Sequence, residues 1–309
     1  MGKPYDGPII DPHIHLWDLA ENHHPWLAPG GGIGLLPSLE KIQRDYLPED
    51  YLRDAAGQNI VATVHVEAVW NPDESPLDET RWLESIDKPG GVAARYVAGT
   101  SFGKPESARI IEEQAEFERV VGVRQVISWH PDPAKTMQRE AGITRASEWR
   151  DSARRAADRG LLLDLLMFPW QADEVAELAA AVPQLSIVVD HAASPLERDP
   201  ENIEVWRRAL ALMAGQPNIA IKISGLGVPD EDPRWGEGGS FGFLIRELVG
   251  AFGTDRALFA SDFPVGSLKN TFEGIYGRFH RFAAELSVDD QRRLFFGNAE
   301  RLYFGGSLR

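Results

Sequence analysis

The chain has 309 residues, 43% of them hydrophobic, enough to bury one large core, and α/β barrels of this length commonly form a single domain. Its formal net charge of −15, from 32 Lys and Arg against 47 Asp and Glu, argues against a nucleic-acid or anionic-membrane surface. The absence of cysteine excludes a disulfide, a thiolate nucleophile and a Cys-based zinc site, so any metal must be held by histidine and carboxylate. The first residues show no apolar signal segment and no apolar run is long enough to cross a bilayer. The expected setting is therefore the cytoplasm, with a small molecule as partner, no nucleic acid or membrane, and homo-oligomerisation left open.

The first predicted strand is Ile9-Ile10-Asp11-Pro12-His13-Ile14-His15. Alternate side chains of a strand share a face, so His13 and His15 point the same way, about 7 Å apart. Two imidazoles side by side make half of a metal site or half of a catalytic one. A long loop follows from Asp18 to about Leu47, carrying His23, His24, Trp26 and a Gly-Gly-Gly run, and loops of that length are usually functional. His23 and His24 are expected to be solvated, with Trp26 a candidate rim or lid residue. Pro48 opens a helix to about Gln58, and strands are expected at 60–67, 92–98 and 120–127, with helices near 79–86 and 105–117 between them.

The second half repeats the alternation. A helix over 147–158 ends at Gly160, strand five spans 161–168, and Val175, Leu178, Ala179 and Val182 form the apolar stripe of the next helix. Strand six covers 185–191, a helix runs over 200–213, and strand seven covers 219–224. A Gly-rich loop containing Trp235, which could close over a ligand, leads to a helix ending near Phe252. Strand eight covers 257–262, and helical sequence with a capping signal at Ser287 to Asp290 closes the chain. Eight strand–helix units predict a (β/α)8 TIM barrel, one domain over 1–309.

Such barrels carry their chemistry at the C-terminal ends of the strands. The reactive side chains there are His13 and His15 on the first, Glu67 on the second, Arg124 on the fourth, His191 on the sixth, Lys222 on the seventh and Asp262 on the eighth. His65, His130 and His280 read as structural or surface residues.

Taken in order, Asp11-x-His13-x-His15, Val189-Asp190-His191, Lys222-x-Ser224-Gly225-Leu226 and Ala260-Ser261-Asp262-Phe263-Pro264 resemble the amidohydrolase superfamily. The resemblance is to its amidohydrolase-2 branch of sugar, muconolactone and pyrone-dicarboxylate lactonases. It runs from Ile9 to Tyr303 and implies a TIM-barrel hydrolase that opens a lactone by adding water to the carbonyl. Asp262 would take the proton of the attacking water, and His191 would stand beside it. The oxyanion would be stabilised by one divalent metal, zinc in the first instance, on His13 and His15, or without metal by histidine and arginine donors. The binuclear members place a histidine on strand five and a Lys or Glu on strand four. Here those strands read Leu163-Asp164-Leu165 and Val123-Arg124-Gln125, so a two-metal site is not expected.

Arg124 suits an anionic or polyhydroxylated substrate, because guanidinium matches carboxylate bidentately; its alternative is an interior ion pair with Glu67. Glu67 and Lys222 are the other candidate substrate contacts, and Lys222 could instead pair with Asp164. Two further functions fit the same residues: a zinc-dependent nonoxidative decarboxylase of aromatic or unsaturated acids, and a barrel that binds a small acid or sugar without turning it over.

Overall fold

A computed structural model describes residues 5–20, 23–33, 36, 38–227 and 240–306. The strands are β1 (Ile9–Ile14), β2 (Ile60–Val66), β3 (Arg95–Gly99), β4 (Val120–Val126), β5 (Leu162–Leu166), β6 (Ile187–Val189), β7 (Ile219–Ile223) and β8 (Ala257–Phe259). All pair in parallel with their sequence neighbours, and a bridge between Ile14 and Phe263 joins the first strand to the segment after the last, nearly closing a barrel.

The crossovers hold α1 (Pro48–Asp54), α2 (Pro76–Ser85), α3 (Ser107–Ala115), α4 (Ser147–Asp158), α5 (Ala172–Ala181), α6 (Pro200–Ala214) and α7 (Ser240–Phe252). After β8 come α8 (Phe272–Ala283), α9 (Val288–Arg292) and α10 (Asn298–Tyr303). The local signals are the ones helix ends require. Asp199 caps α6 by accepting from the amides of Glu201 and Asn202, and Pro200 fills the position where no amide is needed. Gly160 takes φ +72° just after α4. No helix among the described residues is long and apolar enough to cross a membrane.

Period-two alternation divides the strands' side chains. Leu163, Leu165, Ile187, Val189, Ile221 and Ile223 point outward into the core shared with the helices. Ile10, Val64, Val66, Leu162, Val188, Ala220 and Leu258 point inward, where Phe296, Ala299 and Tyr303 from the C-terminal helices plug one end. Above that plug the interior turns charged: Asp164, Lys222, Asp190 and Arg124 are all buried.

Most strand ends fall within two residues of expectation, and the departures at β3, β6 and β8 follow backbone handedness. β3 starts at Arg95 rather than 92, since Ala93 adopts φ +47° in a turn. β6 ends at Val189 because His191, Ala192, Ala193 and Ser194 are all left-handed, with φ between 46° and 59°. β8 ends at Phe259, and Asp262 stands at φ +59°. Left-handed non-glycine residues are costly and cluster where the chain aims functional side chains. The Gly-rich segment with Trp235 lies outside the described residues.

Candidate active site

The end of β1 and the segment after β8 are tied together by main-chain bonds. The Asp262 amide donates to the His13 carbonyl at 3.0 Å and the His15 amide to the Phe263 carbonyl at 2.8 Å. Asp11, fully buried, accepts from the Ser261 amide and from the Tyr51 hydroxyl, both at 2.9 Å, which clamps the turn that carries Asp262. Burial pushes the Asp11 carboxyl up to about 6 despite these donors. On the other side, a Cβ at Gly225 (φ +65°) would lie 2.9 Å from the His191 ring, so only glycine leaves His191 its place.

The result is a convergence on one oxygen. Asp262 Oδ1 lies 3.5 Å from His15 Nε2 and 3.8 Å from both His13 Nε2 and His191 Nε2. The far ring nitrogens are spoken for. His15 Nδ1 is 2.8 Å from the Val66 carbonyl, which can only accept, so Nδ1 carries the proton and Nε2 a lone pair. His191 Nδ1 is 2.9 Å from Ser224 Oγ. His13 Nδ1 lies 3.2 Å from Asp190 Oδ1 and 3.1 Å from Lys222 Nζ. Burial, then the Lys222 charge, holds His13 well below the usual histidine range, and burial also lowers His191, so both are neutral at pH 7.

Beneath the histidines runs the charged layer. Lys222, fully buried, is bonded to Asp164, with Asp190 Oδ1 at 3.1 Å, and Tyr303 donates to Asp164 at 3.2 Å. Burial alone would raise Asp190, but Lys222, His13 and Arg124 together hold it well below the usual carboxylate range. Burial pushes Asp164 the other way. Lys222, expected as a substrate contact, thus lies below the pocket with its ammonium taken up by two carboxylates. Arg124 lines the pocket, yet its Nε bonds Asp190 at 3.1 Å and its Nη1 bonds Glu67 at 3.2 Å. Glu67 holds Arg124 with one oxygen and accepts from the Val69 amide at 2.9 Å with the other. Its carboxylate is satisfied by protein.

His13, His15 and Asp262 form a group whose ligand atoms lie within 4.8 Å of one another; His13, Asp190 and His191 form another. The first suits a divalent cation better, because Asp190 is already bound by Arg124 and Lys222. Two observations test the fit. His13 Nε2 is buried without a hydrogen-bond partner among the described residues, which is costly for a polar nitrogen unless something binds it. The 3.5 and 3.8 Å separations also approach the roughly 3.3 Å between ligands around tetrahedral zinc. The Val66 carbonyl behind His15 is the kind of outer partner that orients a ligating imidazole, while behind His13 both Asp190 and Lys222 face the same ring nitrogen. The donor set fits one zinc-like ion.

A cleft of about 140 Å³, partly open to solvent, rises above this floor. Here the loop after β1 differs from expectation. His24 is 1% exposed, with Nδ1 3.1 Å from the Ala68 carbonyl, and Trp26 donates to that carbonyl at 2.9 Å. His23 stacks on Trp70 at 4.3 Å and bonds Glu74 at 2.8 Å. These histidines pin the loop down and leave Trp26 on the pocket wall. His65 is buried between the Leu16 amide and Glu79, His130 faces Glu197, and His280 bonds Gln58, all structural positions. Sequence reasoning gave no role to Asp11, Asp190 or the apolar wall. Asp11 and Asp190 stood inside the quoted motifs, whereas nothing in the sequence marked the wall.

The amidohydrolase family matches residues 10–305. An uncharacterized protein, y4mH, of Sinorhizobium fredii is 37% identical over 96% of this chain and 99% of its own length. An L-fucono-1,5-lactonase of Burkholderia multivorans is 28% identical over 95% of each chain. A crystal structure of a Burkholderia multivorans amidohydrolase with bound HEPES superposes with a TM-score of 0.79 at 25% identity, covering 96% of this chain and 99% of that one.

Proposed function

The chain belongs to the amidohydrolase family, and we propose that within it this protein hydrolyses a lactone, with Asp262 as the base. The observation that carries this reading is the meeting of three histidine Nε2 atoms on Asp262 Oδ1 at the floor of a cleft at the C-terminal ends of the strands. The similarity to L-fucono-1,5-lactonases supports it.

Asp262 Oδ1 takes a proton from water as the water oxygen bonds the lactone carbonyl carbon. The negative charge that forms on the carbonyl oxygen needs donors in a site where few waters compete, and the Arg124 guanidinium lies on the wall beside it. A divalent ion held by His13, His15 and Asp262 would supply Lewis-acid polarisation of the carbonyl. As the ring C–O bond breaks, the proton passes from Asp262 to the leaving alkoxide, giving a hydroxy acid. His191, neutral and bonded to Ser224, orients the ring oxygen beside Asp262. Hydrolysis releases a carboxylic acid and needs no reactant besides water and the lactone.

A pH-indicator screen of lactones, run on wild type and on Asp262→Asn, tests the reading. Turnover in wild type and a loss of about 10²–10⁴-fold in kcat for the variant are expected. Near-full activity in folded Asp262→Asn would remove the assigned base. Chelation followed by zinc addition reports on the metal: activity lost and regained assigns His13 and His15 as ligands.

A further inference from the structure

The wall of the cleft is chemically unlike its floor. Trp26, Met137, Leu166, Phe168, Leu196 and Leu226 face the same space, drawn from strand ends and loops all around the barrel. Among the described residues that line it, the polar side chains outside the floor are Arg124, Ser194 and Arg198. Most of the polar atoms that reach the wall are engaged by protein, with Arg124 Nη2 left toward the reacting carbonyl. The Trp26 indole N–H is spent on the Ala68 carbonyl, so the ring presents only its apolar face. Arg124 is held by Glu67 and Asp190, and Arg198 donates to the carbonyls of Leu226 and Pro195.

This composition decides between two kinds of lactone. A polyhydroxylated ring brings several hydroxyls, each of which loses water on entry and must find a partner or stay unsatisfied at a cost. An alkyl or aryl substituent loses nothing polar and gains the burial of its own surface and of the wall. Several of the wall residues also remain part-exposed, Val69 at 37%, so they are not there to complete the protein core. We propose that the substrate is a lactone bearing an apolar substituent, an alkyl chain or aryl ring laid against this wall, and not a bare sugar lactone. The proposal rests on the lactonase reading for the reacting group; the wall supplies the substituent.

The test uses δ-lactones substituted with alkyl chains from none to heptyl, together with glucono-1,5-lactone, and measures kcat/KM. The matching δ-lactams, which keep the ring and chain but resist opening, are titrated calorimetrically. Over the first carbons kcat/KM and lactam affinity are expected to rise about three- to fourfold per methylene, with glucono-1,5-lactone below the longer alkyl members. Met137→Gln and Leu196→Gln, both at part-exposed positions, should flatten that dependence. A sugar lactone turned over as well as the heptyl lactone, or a flat chain-length profile, overturns the substrate class and leaves lactone hydrolysis standing. Should no lactone be opened, the lactonase reading fails, and the lactams decide the wall by themselves: rising affinity upholds the apolar substituent, flat affinity rejects it.

Discussion

The floor and the wall of the cleft are built on opposite principles. The floor is polar, buried and cross-tied: Asp262, His13, His15 and His191 are each positioned by a second group, Asp11, Asp190, the Val66 carbonyl and Ser224 in turn. The wall is largely apolar and comes from loops as well as strand ends, and of its residues Trp26 is held by the Ala68 carbonyl. A reaction demands fixed geometry at the reacting atoms, whereas recognition of an apolar group demands only surface of the right kind. Substitutions in the floor should therefore cost stability or catalysis heavily, and those in the wall should change preference.

The largest effect is expected from Lys222→Met. Removing the ammonium leaves Asp164 and Asp190 buried with less compensation, so stability should fall by about 3–5 kcal/mol, as read by chemical denaturation. A loss under 1 kcal/mol would show that the charged layer does not hold the floor together. Asp11 comes next and adds a pH signature. Its carboxyl sits at about 6 in the folded protein, against about 3.9 when unfolded, so the native state keeps the proton more tightly. Wild type should thus lose on the order of 3 kcal/mol relative to Asp11→Asn as pH rises from about 4 to about 6, and no more above that window. A stability difference independent of pH contradicts the assignment.

Gly225→Ala acts on His191 alone. The new Cβ must push the ring away, and kcat should fall about 10- to 100-fold while stability drops by about 1–2 kcal/mol. A crystal structure of the variant with His191 unmoved would reject Gly225 as its positioning residue. The smallest effect belongs to the outer loop. Glu74→Ala removes the partner of the part-exposed His23, and the change in stability should stay below about 1 kcal/mol, because such pairs contribute little. A larger loss would mean that the loop is anchored through His23 rather than through Ala68.

The sequence itself determined the barrel and the strand-end residues of the floor. Both are written in local pattern: strand and helix periods, capping residues, and histidines and carboxylates where a strand stops. It also left the two uses of Lys222 and of Arg124 side by side, and only the tertiary structure separated them. Asp164 and Asp190 reach Lys222 from strands 58 and 32 residues away in sequence, and no local pattern records which buried charges will pair. The left-handed run from His191 to Ser194 escaped notice because it contains no glycine, the residue by which a sequence usually marks such backbone. Last, the apolar wall is assembled from residues far apart in the chain, from Trp26 to Val265, each unremarkable in its own segment. Their chemistry becomes a property of the protein only once the barrel brings them to a single mouth.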